Sequence, residues 1–180
     1  LIVFFALLLI ALLLVLQLNQ LTILFSLIAV VLAASYPYMK RFHHLPQVYL
    51  GAAFSWAIPM AFTATTGELP TATAWLLFLA NLIWTTGYDT IYGMCDREDD
   101  LQIGVKSTAI LFGDYDRLIV GISQMLTLLV LFWVSDMAGL GVFFWCGLLV
   151  AAGLFVYQHS LIRNRDRYLS LQAFKNNGWV

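Results

Sequence analysis

Six long apolar runs set what this chain can fold into: Leu1 to Leu18, Leu21 to Tyr38, Gln47 to Thr66, Ala72 to Tyr88, Leu118 to Ser135 and Leu140 to Ile162. Each approaches the roughly 20 residues that a helix needs to cross about 30 Å of hydrocarbon. Inside lipid every backbone N–H and C=O must be satisfied within the segment, and the alternating pattern of a membrane barrel is absent, so the runs predict helices. With 62% of residues hydrophobic and 11% charged, there is too little polar side chain to clothe a water-facing surface. The expectation is an all-α, polytopic transmembrane helical bundle of six spans, forming a single domain over residues 1–180.

The connections alternate in charge. Lys40 and Arg41 follow the second run, Arg97, Lys106 and Arg117 the fourth, and Arg163, Arg165, Arg167 and Lys175 the sixth, whereas the opposite loops carry no Lys or Arg. By the positive-inside rule the charged loops are expected to be cytoplasmic. A net charge of −1 leaves no electrostatic footprint for nucleic acid. Cys95 and Cys146 suit neither a disulfide framework nor a zinc pattern and read as free, buried thiols. Gly51 and Ser55 have the small-xxx-small spacing of close helix contacts, and Pro59 is expected to kink the same helix. Asn81 and Gln124 read as interhelical hydrogen-bonding residues, and the aromatics around the fourth run as interfacial anchors.

The stretch "YDTIYGMCDREDDLQIGVKS", Tyr88 to Ser107, gathers five acidic residues in this apolar chain. If the fourth helix continues past the membrane edge, 100° per residue brings Asp89, Asp96 and Asp100 within about 40° of one another. Asp99 falls on the flank of that face and Glu98 opposite it. Carboxylates at close range raise one another's pKa and destabilise the helix unless a cation stands between them. Magnesium fits such a face, because it takes one or two carboxylates, keeps waters and fills its shell from substrate phosphates. The plainer reading is a solvated acidic loop, which grouping on one helical face argues against.

A diphosphate would recruit Lys or Arg as well. Lys40, Arg41 and Lys106 lie on the same membrane side as the acidic face. "GVKST" is no Walker A loop, since Val105 stands where a Gly must precede the Lys. His43 and His44 lack partners at metal-ligand spacing and read as interfacial residues.

"YDTIYGMCDREDDLQIGVKSTAILFG" resembles the second aspartate motif of the UbiA-type intramembrane prenyltransferases, and "YPYMKRFHHLPQVYLGAAFSWAIPMAF" resembles the segment before it. The likeness is strongest to the branch that prenylates 4-hydroxybenzoate in ubiquinone biosynthesis. It implies a nine-helix bundle in a bacterial inner membrane, of which this chain supplies the third through eighth helices. Two departures stand out: no Asp precedes Asp89, so a first NDxxDxxxD motif is missing, and so is the ninth helix. The chain also begins at Leu1 inside an apolar run, so a fragment cut at both ends is expected.

The resemblance implies that magnesium bridges the aspartates and the diphosphate of a polyprenyl donor, whose ionisation yields an allylic cation. The ring carbon ortho to the hydroxyl of 4-hydroxybenzoate attacks that cation. By position, Asp96 and Asp100 match the magnesium aspartates, and Asp89 a supporting acidic position. Asp99 ranks below these as a substitute ligand. Lys40 and Arg41 match a basic pair expected to meet the diphosphate or, for Arg41, the benzoate carboxylate. Lys106 is a weaker diphosphate contact. Another aromatic acceptor, or a divalent-cation transporter with no enzymatic role, are the alternatives. The transporter requires carboxylates continuing into the membrane, and none of the six runs carries an interior Asp or Glu. Half of the aspartate site alone is expected to be inactive.

Overall fold

The computed structural model describes all 180 residues. The chain forms nine α-helices and no strand: α1 Ile2–Val15, α2 Gln20–Phe42, α3 Pro46–Ser55, α4 Ala57–Thr66, α5 Ala72–Ile103, α6 Thr108–Phe112, α7 Asp116–Ala138, α8 Val142–Leu161 and α9 Arg167–Asn176. Four segments are long and apolar enough to cross a membrane: Gln20–Phe42, Pro46–Thr66, Thr108–Ala138 and Val142–Asn164. The other two expected spans depart from the reading of the sequence. α1 has 14 residues in this chain, about 21 Å at 1.5 Å each, fewer than the 18 of the apolar run. α5 has 32 residues, but Asn81, Thr85 and Thr86 dilute its apolar half, and its other half is charged.

α5 tolerates that polarity because neighbours surround it. It packs against α3 and α4 on one side, α7 on another, and α6 and α9 toward its charged end. Gly51 lets α3 lie against it: a Cβ there would stand 2.7 Å from the carbonyl oxygen of Leu82. Ser55, four residues on, accepts a hydrogen bond from Asn81 Nδ2 at 2.9 Å. On the opposite flank a Cβ at Gly87 would come 3.2 Å from Ser123 Cβ of α7. Both polar span residues do as expected, since Gln124 of α7 donates to Gln158 Oε1 of α8. The kink is also present. Pro59 leaves the carbonyl of Ser55 without its helical donor, and the helix breaks at Trp56 between α3 and α4. Both thiols are free, with Cys95 buried and, against expectation, Cys146 exposed.

The trailing basic segment is not a loop. After α8 the chain turns back as α9, which packs along α5 from its charged end inward. Phe174 lies against Tyr92 and Tyr88, with ring centroids 4.9 and 5.9 Å away. Trp84 Nε1 donates to Asn177 Oδ1 at 3.1 Å, and Gln158 Nε2 to Asn176 Oδ1 at 3.0 Å. The aromatics read as interfacial anchors thus hold a returning helix. Its polar residues enter the bundle because each finds a partner there.

The charged end is fastened by Asp116, which is fully buried at the start of α7. Arg97 of α5 donates to its Oδ2 and also to the carbonyls of Ala109 and Gly113. Arg165 Nε donates to both carboxylate oxygens at 3.1 and 3.2 Å. Arg165 is the single non-glycine residue with positive φ, 55°, a conformation that costs about 1–2 kcal/mol outside glycine. The ion pair offsets that cost. Two arginines of the charged loops therefore close a joint between α5, α7 and α9. Asp116→Ala would strand two cations, and we expect a loss of roughly 3–5 kcal/mol, seen as a large drop in thermal unfolding temperature in detergent. A change of under about 1 kcal/mol would place the joint's stability elsewhere.

Candidate active site

The site is built on the charged half of α5, which runs unbroken past Tyr88 as the periodicity requires. Gly104, at φ 70°, ends the helix, and the Val105 N–H donates to the carbonyl of Asp100 at 2.9 Å. The chain then crosses to the end of α2. The Lys106 N–H donates to the Lys40 carbonyl at 3.1 Å, and Lys106 Nζ to the Phe42 carbonyl at 3.2 Å. Behind this crossing, Gln47 Oε1 accepts from the Thr108 N–H at 3.0 Å, and the hydroxyls of Thr90 and Thr108 meet at 2.7 Å. Two loops distant in sequence are thereby tied beside one acidic face.

Asp89, Asp96, Asp100 and Lys40 share that face electrostatically. Burial pushes the Asp89 carboxyl up to about 6, with Asp96 adding to the rise and Lys40 opposing it. Asp100 is raised by burial too, again opposed by Lys40 and reinforced by Asp96 and Asp99. Lys40 thus influences both carboxylates while making no direct ion pair with either. Asp100 is 7% exposed and its Oδ2 is buried without a hydrogen-bond partner. Such an oxygen is costly unless something fills its coordination. Beside Asp96, the Tyr92 phenol is also pushed up, chiefly by the neighbouring carboxylate.

The other predicted residues stand apart. Asp99 accepts from Arg167 Nη2 of α9 at 2.7 Å, an exposed pair on the flank of the face. Arg41 is exposed on the last turn of α2 and pairs with no carboxylate, and Glu98 is exposed as expected. No three carboxylate, imidazole or thiol groups converge as a ready-made metal cage. Sequence reading overlooked Gln47, Arg97, Asp116 and Arg165. Asp116 carries no local signal, because its partners Arg97 and Arg165 lie 19 and 49 residues away in sequence.

The UbiA prenyltransferase family profile matches residues 1–179. The chain belongs to that family. Among its relatives is a protein of Alcanivorax borkumensis named 4-hydroxybenzoate octaprenyltransferase, 55% identical over 93% of this chain and 57% of that protein. A Pseudomonas fluorescens protein of the same name is 58% identical over 99% of this chain and 60% of its own length. This UbiA-family chain therefore spans about three-fifths of the curated relatives it matches. The apo structure of a UbiA homolog from Aeropyrum pernix K1 superposes with a TM-score of 0.73 at 22% identity, covering 91% of this chain and 64% of that one. At that identity the likeness shows the fold, and the fold is that of the family.

Asp89 yields a pH prediction for the UbiA site free of divalent cations. Its folded pKa lies above the usual aspartate value, so the folded state holds the proton more tightly. That stabilisation is complete below about pH 4 and is lost as pH rises through about 6, to at most about 3 kcal/mol. Asp89→Asn should therefore unfold at a higher temperature than the parent at pH 8, and the gap should close toward pH 4. A gap independent of pH would contradict the assignment.

Proposed function

We propose that the intact protein transfers a polyprenyl group from polyprenyl diphosphate to the ring carbon of 4-hydroxybenzoate ortho to its hydroxyl, in ubiquinone biosynthesis. The observation that carries this reading is the partnerless Asp100 oxygen, held among Asp89, Asp96 and Lys40 at the edge of an apolar bundle. The names of the relatives supply the substrates. Residues 1–180 are read as one domain of a nine-helix bundle in a bacterial inner membrane, with the cationic loops cytoplasmic. In this reading α1 and the apolar half of α5, Ala72 to Tyr88, also count as spans, giving six.

The donor set is hard oxygen, as magnesium requires, and two carboxylates plus diphosphate oxygens meet its needs without a preformed cage. Asp96 and Asp100 would hold the ion, with Asp89 in support and Asp99 as substitute. When bound, it supplies neutralisation of the charge that builds on the departing diphosphate. The chain's own residues do the rest. Lys40 and Lys106 meet the diphosphate from the α2 side, where electrostatic stabilisation of the leaving group lowers the barrier. The rings of Tyr88, Tyr92 and Phe174, next to the acidic face, present π surfaces to an allylic cation and keep water from it. Arg41, unpaired on the same edge, orients the benzoate carboxylate. The ring attacks the cation, and the ortho proton then leaves to restore aromaticity.

In the intact protein, Asp96→Asn or Asp100→Asn should each lower prenyl transfer to 4-hydroxybenzoate by on the order of 10²-fold or more. Near-normal turnover in either would remove these residues from the reaction. Turnover that is indifferent to the acceptor's carboxylate would remove Arg41 and favour another hydroxylated arene. The 180-residue chain, with no Asp before Asp89, is proposed to show no turnover by itself.

A further inference from the structure

A cavity of about 690 Å³ lies in the furrow between α7 and α8, away from the aspartate face. Its charged end brings together Arg117 from α7, His159 from α8 and Arg163 from the turn that follows, and no acidic residue lines it. Arg97, Arg165 and Arg167 each hold a carboxylate, whereas Arg117 and Arg163 hold none. Arg117 Nε is buried and has no hydrogen-bond partner. Gly121 makes room for the imidazole, since a Cβ there would stand 3.3 Å from His159 Cε1.

Below this cationic mouth the furrow is apolar apart from Gln124, whose amide is bonded to Gln158, and it runs past Met125 to Leu128 and Ala152. Leu128 lies about three turns of α7 from Arg117, roughly 16 Å, which is close to half of a bilayer's hydrocarbon thickness. A smaller cavity of about 290 Å³ shares Leu128 and Ala152 and continues between the same helices to Trp145. Met125 and Val156 are exposed, so the furrow opens sideways between the two helices.

We propose that the α7–α8 furrow binds an anionic phospholipid from the leaflet at the cationic edge of the protein. Arg117, His159 and Arg163 receive the headgroup phosphate, and one acyl chain lies along Met125 and Leu128. Two guanidinium groups suit a phosphodiester, and basic pockets between membrane helices recognise such headgroups. An isoprenoid diphosphate fits less well, because its greater charge calls for a metal and the furrow has no carboxylate to hold one.

Native mass spectrometry of the intact protein in neutral detergent, titrated with dioleoyl phosphatidylglycerol or dioleoyl phosphatidylcholine, tests this. The expected result is a preference for phosphatidylglycerol of roughly tenfold, lost in the Arg117→Gln/Arg163→Gln double variant. Ala152→Phe, which fills the apolar floor and keeps every charge, should also reduce phosphatidylglycerol retention several-fold; it keeps the test decisive if the double variant does not fold. Equal binding of the two lipids, an undiminished preference in the double variant, or full retention in Ala152→Phe would each overturn the proposal. Displacement of phosphatidylglycerol by geranylgeranyl diphosphate without divalent cation would reassign the furrow to an isoprenoid.

Discussion

A carboxylate sealed from water fastens the charged end of this bundle. Asp116 has no exposure, and it is paired there with arginines that arrive from two directions, Arg97 on α5 and Arg165 before α9. A buried charge pair of this kind gains little net stability over apolar packing, yet losing one partner is severe. Its consequence is geometric. The end of α5, the loop through α6 and the start of α9 meet at one point, so the acidic face beside them has a fixed frame.

That frame lets opposed tendencies coexist on α5. Its carboxylates repel, and burial drives Asp89 and Asp100 toward their neutral forms, while Lys40 draws both back toward ionisation. A cluster left in this balance has unfilled capacity for positive charge, and the unpartnered Asp100 oxygen shows where. The crossing of Lys106 to the α2 end brings a second cation to the same edge. Aromatic rings from α5 and α9 close the adjoining side. Cations at this edge divide into those that fasten helices, those that meet the acidic face, and the unpaired group in the α7–α8 furrow.

Much of this was legible from residues alone, for reasons that can be named. Asp89, Asp96 and Asp100 share a face because helical periodicity is rigid once α5 is known to continue. Pro59 and Gly51 act locally, so the break at Trp56 and the close approach to Leu82 follow from residue type. What escaped depends on tertiary partners. Nothing in "GDYDRLIV" distinguishes Asp116 from a surface helix-start acid until Arg97 and Arg165 fold onto it. Trp84 and Tyr92 carry the composition of an interfacial belt, and only the return of α9 turns them inward. The polar content of α5 likewise makes it a poor span by hydropathy, though neighbouring helices pack around it.

The central claim is that the acidic face of α5, with Lys40 and Lys106, is a metal-assisted diphosphate site. Equilibrium binding of an unreactive prenyl thiodiphosphate to the intact protein, with and without magnesium, tests it without any turnover. We expect binding that requires magnesium and falls by on the order of 10²-fold in Asp100→Asn, where a charge-assisted ligand is removed. Equal binding in the presence of a chelator, or unchanged affinity in Asp100→Asn, would contradict it.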